Sequence, residues 1–112
     1  MKTLSHKVVK EILEHAGTVR EEVKKEFPRI TVYSDGPEFY SDELLLETIP
    51  CAAYEYIILC WGVEPSRIDF DSVIFALNNN RLKDIKKIIA HALRRLASVN
   101  MHIMRNKASL AL

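Results

Sequence analysis

Glycine is scarce in this chain, and that alone removes several kinds of chemistry. Only Gly17, Gly36 and Gly62 occur, too widely spaced for a phosphate-cradling loop of the GxGxxG or GxxxxGK type. A Gly-x-Ser-x-Gly nucleophile elbow is missing for the same reason. Proline appears four times and cysteine twice. Those counts exclude a Pro/Gly-rich disordered chain and a disulfide framework. Cys51 and Cys60 both fall in the apolar run 49–63, where thiols are ordinarily buried and unreactive. The expectation is a reduced, cytoplasmic protein.

Long hydrophobic runs are lacking too. Ile49 to Val63 is the longest, but it contains Pro50 and Glu55 and falls short of the roughly 20 residues that cross a bilayer. Polar residues break up Met1 to His6 before any apolar h-region forms, so no signal peptide is expected. No membrane partner is expected.

Four histidines and two cysteines invite a test for metal. At 100° per residue, Cys51 and Cys60 point to opposite sides of a helix, as do His6 and His15. His91 and His102 share a helix face but stand about 16 Å apart along its axis, too far for one ion with bonds of about 2 Å. Asp69 and Asp71, near a helix start, read as caps rather than as an acid–base pair. Neither a metal nor a cofactor is expected, and no catalytic residue emerges.

What the sequence does contain is apolar residues at helical spacing. At 112 residues and 48% apolar, the chain can form one domain, 1–112, with a real core. Between Asn80 and Lys107, Leu82, Ile85, Ile89, Ala92, Leu96, Val99 and Ile103 recur three and four apart. That spacing lays a stripe along a helix of about six turns or more. Ile88 and Leu93 widen the stripe into a bundle-type face, and Asn78, Asn79 and Asn80 offer caps at its start. A face this broad exceeds what one neighbouring helix covers. It therefore suggests self-association, most simply as a homodimer, through Leu82, Ile85, Ile89, Leu96, Val99 and Ile103.

The remaining elements follow in order. Residues 4–27 read as helical, either as one helix or as two meeting at Gly17 ahead of the capping-box pattern Thr18 to Glu21; Pro28 ends the segment. Ile30 to Ser34 has strand content, Asp35-Gly36-Pro37 is a turn, and Glu38 to Tyr40 returns as a short strand. Ser41 caps a helix over 42–48, which stops before Pro50. Cys51 to Trp61 is a second helix ending at Gly62, with a buried strand over 54–61 as the competing reading. Ser66 with Asp69 can cap a short helix carrying Phe70, Val73, Ile74 and Leu77 to Asn78. The predicted fold is mainly α, α+β at most: a small helical bundle with a long C-terminal helix and one short β-hairpin or small sheet.

Charge is balanced overall at +1 but segregated along the chain. Residues 1–30 hold seven Lys/Arg against five Asp/Glu, residues 31–72 hold one against nine, and residues 73–112 hold eight against one. Lys83, Lys87 and Arg94 face away from the apolar stripe, with Arg95 and Lys86 at its border, and Asp84 is the only acid on that segment. Phosphate of a nucleic acid could compensate these cations. The acidic block Asp35, Glu38, Asp42, Glu43 and Glu47, from the same or a neighbouring chain, is the favoured alternative. That block, with Tyr33, Phe39 and Tyr40 among its carboxylates, also resembles a surface for a basic protein partner. Three functional readings result. The first is a non-enzymatic protein-interaction module that self-associates through the long helix. The second is a nucleic-acid-binding accessory or regulatory protein using Lys83, Lys87, Arg94 and Arg95. The third is an inhibitor presenting the acidic segment 35–47 to a basic enzyme.

Overall fold

The computed structural model describes residues 3–30 and 37–110, with side chains up to Ser98. Among them are four α-helices: α1 (His6–Lys24), α2 (Asp42–Trp61), α3 (Phe70–Asn78) and α4 (Ile85–Leu110). One 3-10 turn, Pro65–Arg67, precedes α3. α4 packs on both α1 and α2, while α3 lies mainly against α2. Contacts fix the directions. Arg20 on α1 reaches Asp42 at the start of α2, so these two helices run antiparallel. Glu26, just beyond α1, meets Arg94, while Ser5, just before it, meets Asn78, so α1 runs parallel to α4. α2 and α4 are therefore antiparallel.

α1 is continuous. Val8, Ile12, Ala16, Val19 and Val23 bury one face across Gly17, which lies on the exposed side with open space around its α-carbon. Ser5, not anticipated as a cap, accepts the Val8 N–H at 3.3 Å. α2 is continuous as well, which corrects the two-helix expectation at Pro50 and settles 51–61 as helix. Proline inside a helix costs about 3 kcal/mol. Leu45 and Ile49 before it and Ala52, Ala53, Tyr56 and Ile57 after it share one buried face. Burying a large apolar side chain is worth about 1.5–3 kcal/mol, so keeping both halves in register outweighs the proline. Ser41 caps the N-terminus, accepting from Leu44 N at 3.2 Å, and Gly62 ends the helix at φ 68°, both as expected.

The expected hairpin is absent among the described residues. Thr31 to Gly36, including the predicted turn, lie outside them. Pro37 to Tyr40 forms turns rather than a strand, with Tyr40 N–H bonded to the Pro37 carbonyl at 3.3 Å and Ser41 N–H to the Glu38 carbonyl at 3.2 Å. The reason is Phe39. Its ring is fully buried, with Tyr40 set edge-on against it, and the Arg20 guanidinium donates to its carbonyl at 2.9 Å. The segment plugs the α1–α2 end of the core instead of pairing with a neighbouring strand.

The start of α4 also differs from expectation. Asp69 caps α3 as expected, accepting from Ser72 N at 2.7 Å, while Ser66 lies in the preceding 3-10 turn. Asn78 ties the chain start to the end of α3, accepting from Ser5 N at 2.8 Å and donating to the Thr3 carbonyl at 2.9 Å. Asn79 bonds back to the Phe75 carbonyl, and Asn80 takes the left-handed conformation at φ 53°. None of the three caps α4, which begins five residues later at Ile85.

Candidate interaction surface

The apolar stripe of α4 lies within its own chain. Leu82, Ile89 and Leu96 are buried in the core, and Ile85 is half-buried against it. The flanking Ile88, Ala92, Leu93 and Ala97 are fully buried. α1 and α2 together cover what one helix could not. The expectation that this stripe presents a free interface is therefore corrected over its described part. The side chains of Val99 and Ile103 lie outside the described residues.

The cations on the back of α4 are not uniformly free either. Arg94 holds Glu26 through two bonds, Nε to Oε2 at 2.9 Å and a second guanidinium nitrogen to Oε1 at 3.0 Å. This grip holds the Glu26 carboxyl below the usual carboxylate range and raises the Arg94 guanidinium. Arg95 pairs with Glu55 on α2. The same carboxylate receives His91, Nε2 to Oε2 at 2.9 Å. Burial first, and then the Arg94 charge, push the His91 pKa down from its ordinary value. With its pKa lowered, His91 is neutral at pH 7 and donates its Nε2 proton to the Glu55 carboxylate. Asp84 precedes α4 but turns its side chain elsewhere, accepting the Tyr56 hydroxyl at 2.7 Å. That bond, with burial, pushes the Tyr56 pKa up to about 12. Lys83, Lys86 and Lys87 are exposed, and no carboxylate pairs with them among the described residues.

The acidic block is dispersed. Asp42 is held by Arg20 at 2.9 Å, Glu38 is half-buried, and Glu43 and Glu47 stand in solvent on the first turns of α2. Asp35 and Tyr33 lie outside the described residues, and Phe39 belongs to the core. Neither within-chain pairing of this block with the basic helix nor a continuous acidic–aromatic patch is observed among the described residues. Glu43 and Glu47 sit at the opposite end of the bundle from Lys83 and Lys87. The eighteen helical steps from Glu43 to Trp61 span about 27 Å, well beyond the screening length of about 8 Å.

The uncovered apolar surface is on α2. This helix is apolar almost all round, yet α4, α3 and α1 cover only part of its circumference. On the outward side, Leu44, Cys51 and Ile58 recur seven apart, with Glu47, Tyr54 and Trp61 interleaved at the same interval. None of the six is fully buried, and neither Leu44 nor Ile58 packs on the core cluster. Two alternating heptad positions make one continuous seam along a helix. Leu59, 71% exposed, and Trp61, 52% exposed, end the seam, and Phe70 continues it by stacking on Tyr54 with ring centroids 5.1 Å apart. The seam was legible as a spacing, but breaking the helix at Pro50 hid it. With its two halves joined, α2 has 20 residues and is long and apolar enough to cross a membrane by length and composition, a test that core helices of soluble proteins also pass.

No group of three or more His, Cys, Asp or Glu capable of holding a metal ion occurs among the described residues. No protein-family model, curated protein or solved structure matches the chain.

Proposed function

We propose that this protein is a non-enzymatic interaction module that works by binding protein, through the outward face of α2 rather than the stripe of α4. The observation that supports this reading is the half-buried apolar seam Leu44, Cys51, Tyr54 and Ile58, of which Tyr54 also packs on the core, prolonged by the exposed Leu59, Trp61 and Phe70. A contiguous apolar patch of this kind on a small domain marks a binding surface, and Trp and Tyr are the side chains that anchor such contacts.

A second reading, nucleic-acid binding, draws support from Lys83, Lys86 and Lys87, which pair with no carboxylate among the described residues while Arg94 and Arg95 are taken by Glu26 and Glu55. The solution mass at low salt, measured alone and with single- and double-stranded nucleic acid, separates the two. An assembly larger than one chain that ignores nucleic acid supports protein binding. A single chain that takes up nucleic acid, and releases it steeply as salt rises, replaces that reading with the second. The inhibitor reading narrows to Glu43 and Glu47, the two acids of the block that remain exposed and unpaired among the described residues.

A further inference from the structure

We infer that the outward face of α2 takes a cationic amphipathic helix of another protein. Its apolar side lies along Leu44, Cys51, Ile58 and Trp61, and its lysines or arginines meet the carboxylates at either end of that row. The inference rests on the protein-binding reading above and names the chemistry of the partner.

The shape of the face selects a helix. Leu44 and Ile58 lie seven residues to either side of Cys51, are half-buried and do not pack on their own core. The fourteen helical steps between them span about 21 Å, the length of about four turns of a second helix. A helix face offers no free sheet edge, so an extended segment has nothing to pair with. Side chains three, four and seven apart on an amphipathic helix match such a row instead. At its C-terminal end Leu59, Trp61 and Phe70 are 71%, 52% and 47% exposed, and large apolar side chains gathered at one place anchor a partner.

Charge then selects the sign of the partner. Glu43 and Glu47, both exposed, stand beside Leu44 on the first turns of α2. At the other end the Tyr54 hydroxyl donates to the Pro65 carbonyl at 3.4 Å, and the Tyr54 ring stacks on Phe70. Glu64 and Asp71, the sequence neighbours of Pro65 and Phe70, are thereby brought to the α3 flank of the row, where Arg67 is the one cation. All four carboxylates are exposed, and none forms a salt bridge among the described residues. Both ends of this flank are therefore net acidic. Glu55, on the α4 flank, is already met by Arg95 and His91. Lys83 and Lys87 belong to α4 and its lead-in, so the partner's cations fall on the α3 flank. A second copy would set acid against acid at each end, and phosphate of a nucleic acid or a membrane would meet the same carboxylates. A basic helix complements both ends at once.

The test titrates the full chain with two synthetic amphipathic peptides about five turns long, leucine on one side and either lysine or glutamate on the other. Trp61, the chain's single tryptophan, stands at the end of the row and reports contact by its fluorescence. The leucine–lysine peptide binds and shifts the Trp61 emission to the blue; the leucine–glutamate peptide does neither. Ile58→Asn, with far-UV circular dichroism unchanged, weakens the leucine–lysine peptide about tenfold. Glu43→Gln with Glu47→Gln weakens it about two- to fivefold at low salt, the range for exposed ion pairs, as does Glu64→Gln with Asp71→Asn. Both losses fade as salt rises. Equal binding of the two peptides overturns the inference, as does binding of neither. Leucine–lysine binding indifferent to Ile58→Asn also overturns it, because the peptide then sits elsewhere. A wild type that sediments as a dimer, and as a monomer once Ile58→Asn is made, overturns it in favour of a second copy. Each of these leaves protein binding standing, since that reading falls only to a nucleic-acid-binding monomer.

Discussion

α2 and α4 pack against each other over much of their length, yet they are opposite kinds of helix. α4 is amphipathic: its apolar stripe is buried against α1 and α2, and its polar side carries Arg94 and Arg95 bound to carboxylates on other elements. α2 is apolar nearly all round, and half-buried Leu44, Cys51 and Ile58 remain on its outer side. A clean stripe on a helix tells how much surface the helix needs covered, and here the fold covers it. The surplus lies on the helix with no clear stripe, because a helix apolar on every side has more to cover than its neighbours reach.

The widest test of that contrast is one substitution on each helix. Leu96→Asp puts an unpaired carboxylate into the core, a change of several kcal/mol in a domain whose whole stability is about 5–15 kcal/mol. Loss of the helical circular dichroism signal is the expected result. Ile58→Asp should leave the monomer's thermal midpoint within a few degrees. Equal losses from both would mean that the outer side of α2 belongs to the core after all.

Pro50→Ala should come next, stabilising the chain by roughly 1–3 kcal/mol in urea unfolding, because a continuous α2 forgoes one backbone bond at that position. An unchanged or lower midpoint would indicate two helices meeting at Pro50. Tyr56→Phe breaks the hydroxyl bond joining α2 to the start of α4 and leaves Asp84 without it, so the thermal midpoint should fall. The same bond has a pH signature. The folded Tyr56 pKa is raised to about 12 from 10.0, so its contribution is complete below pH 10 and is lost as pH rises towards 12. Titration of the wild type against Tyr56→Phe by thermal melts reads it directly. Glu55→Gln should have the smallest effect, under about 1 kcal/mol, since both its partners lie near the surface. The lowered His91 pKa adds a weak acid limb: stability is held above pH 6.5 and falls as pH drops through the depressed value.

Much of the bundle was legible in residue spacing. Val8, Ile12, Ala16, Val19 and Val23 marked the buried face of α1, and Val73, Ile74 and Leu77 that of α3. Ser41 and Gly62 marked the two ends of α2. Errors arose where a local rule met a tertiary one. Pro50 signalled a break, but six buried side chains on a shared face kept the helix whole. Glu38 to Tyr40 looked extended, but Phe39 was drawn into the core. The three asparagines looked like caps, while one was claimed by Ser5 and Thr3 at the far end of the chain.

Periodicity by itself determined that the chain is helical, where its long helix lies and which side of that helix is apolar, because burial of a stripe is a local property of three- and four-residue spacing. Tertiary structure alone decided what covers the stripe, which cations find carboxylates and where uncovered apolar surface remains. Those outcomes depend on how helices distant in sequence are set side by side, and Glu26 meeting Arg94 or Glu55 meeting Arg95 leaves no trace in the order of the residues.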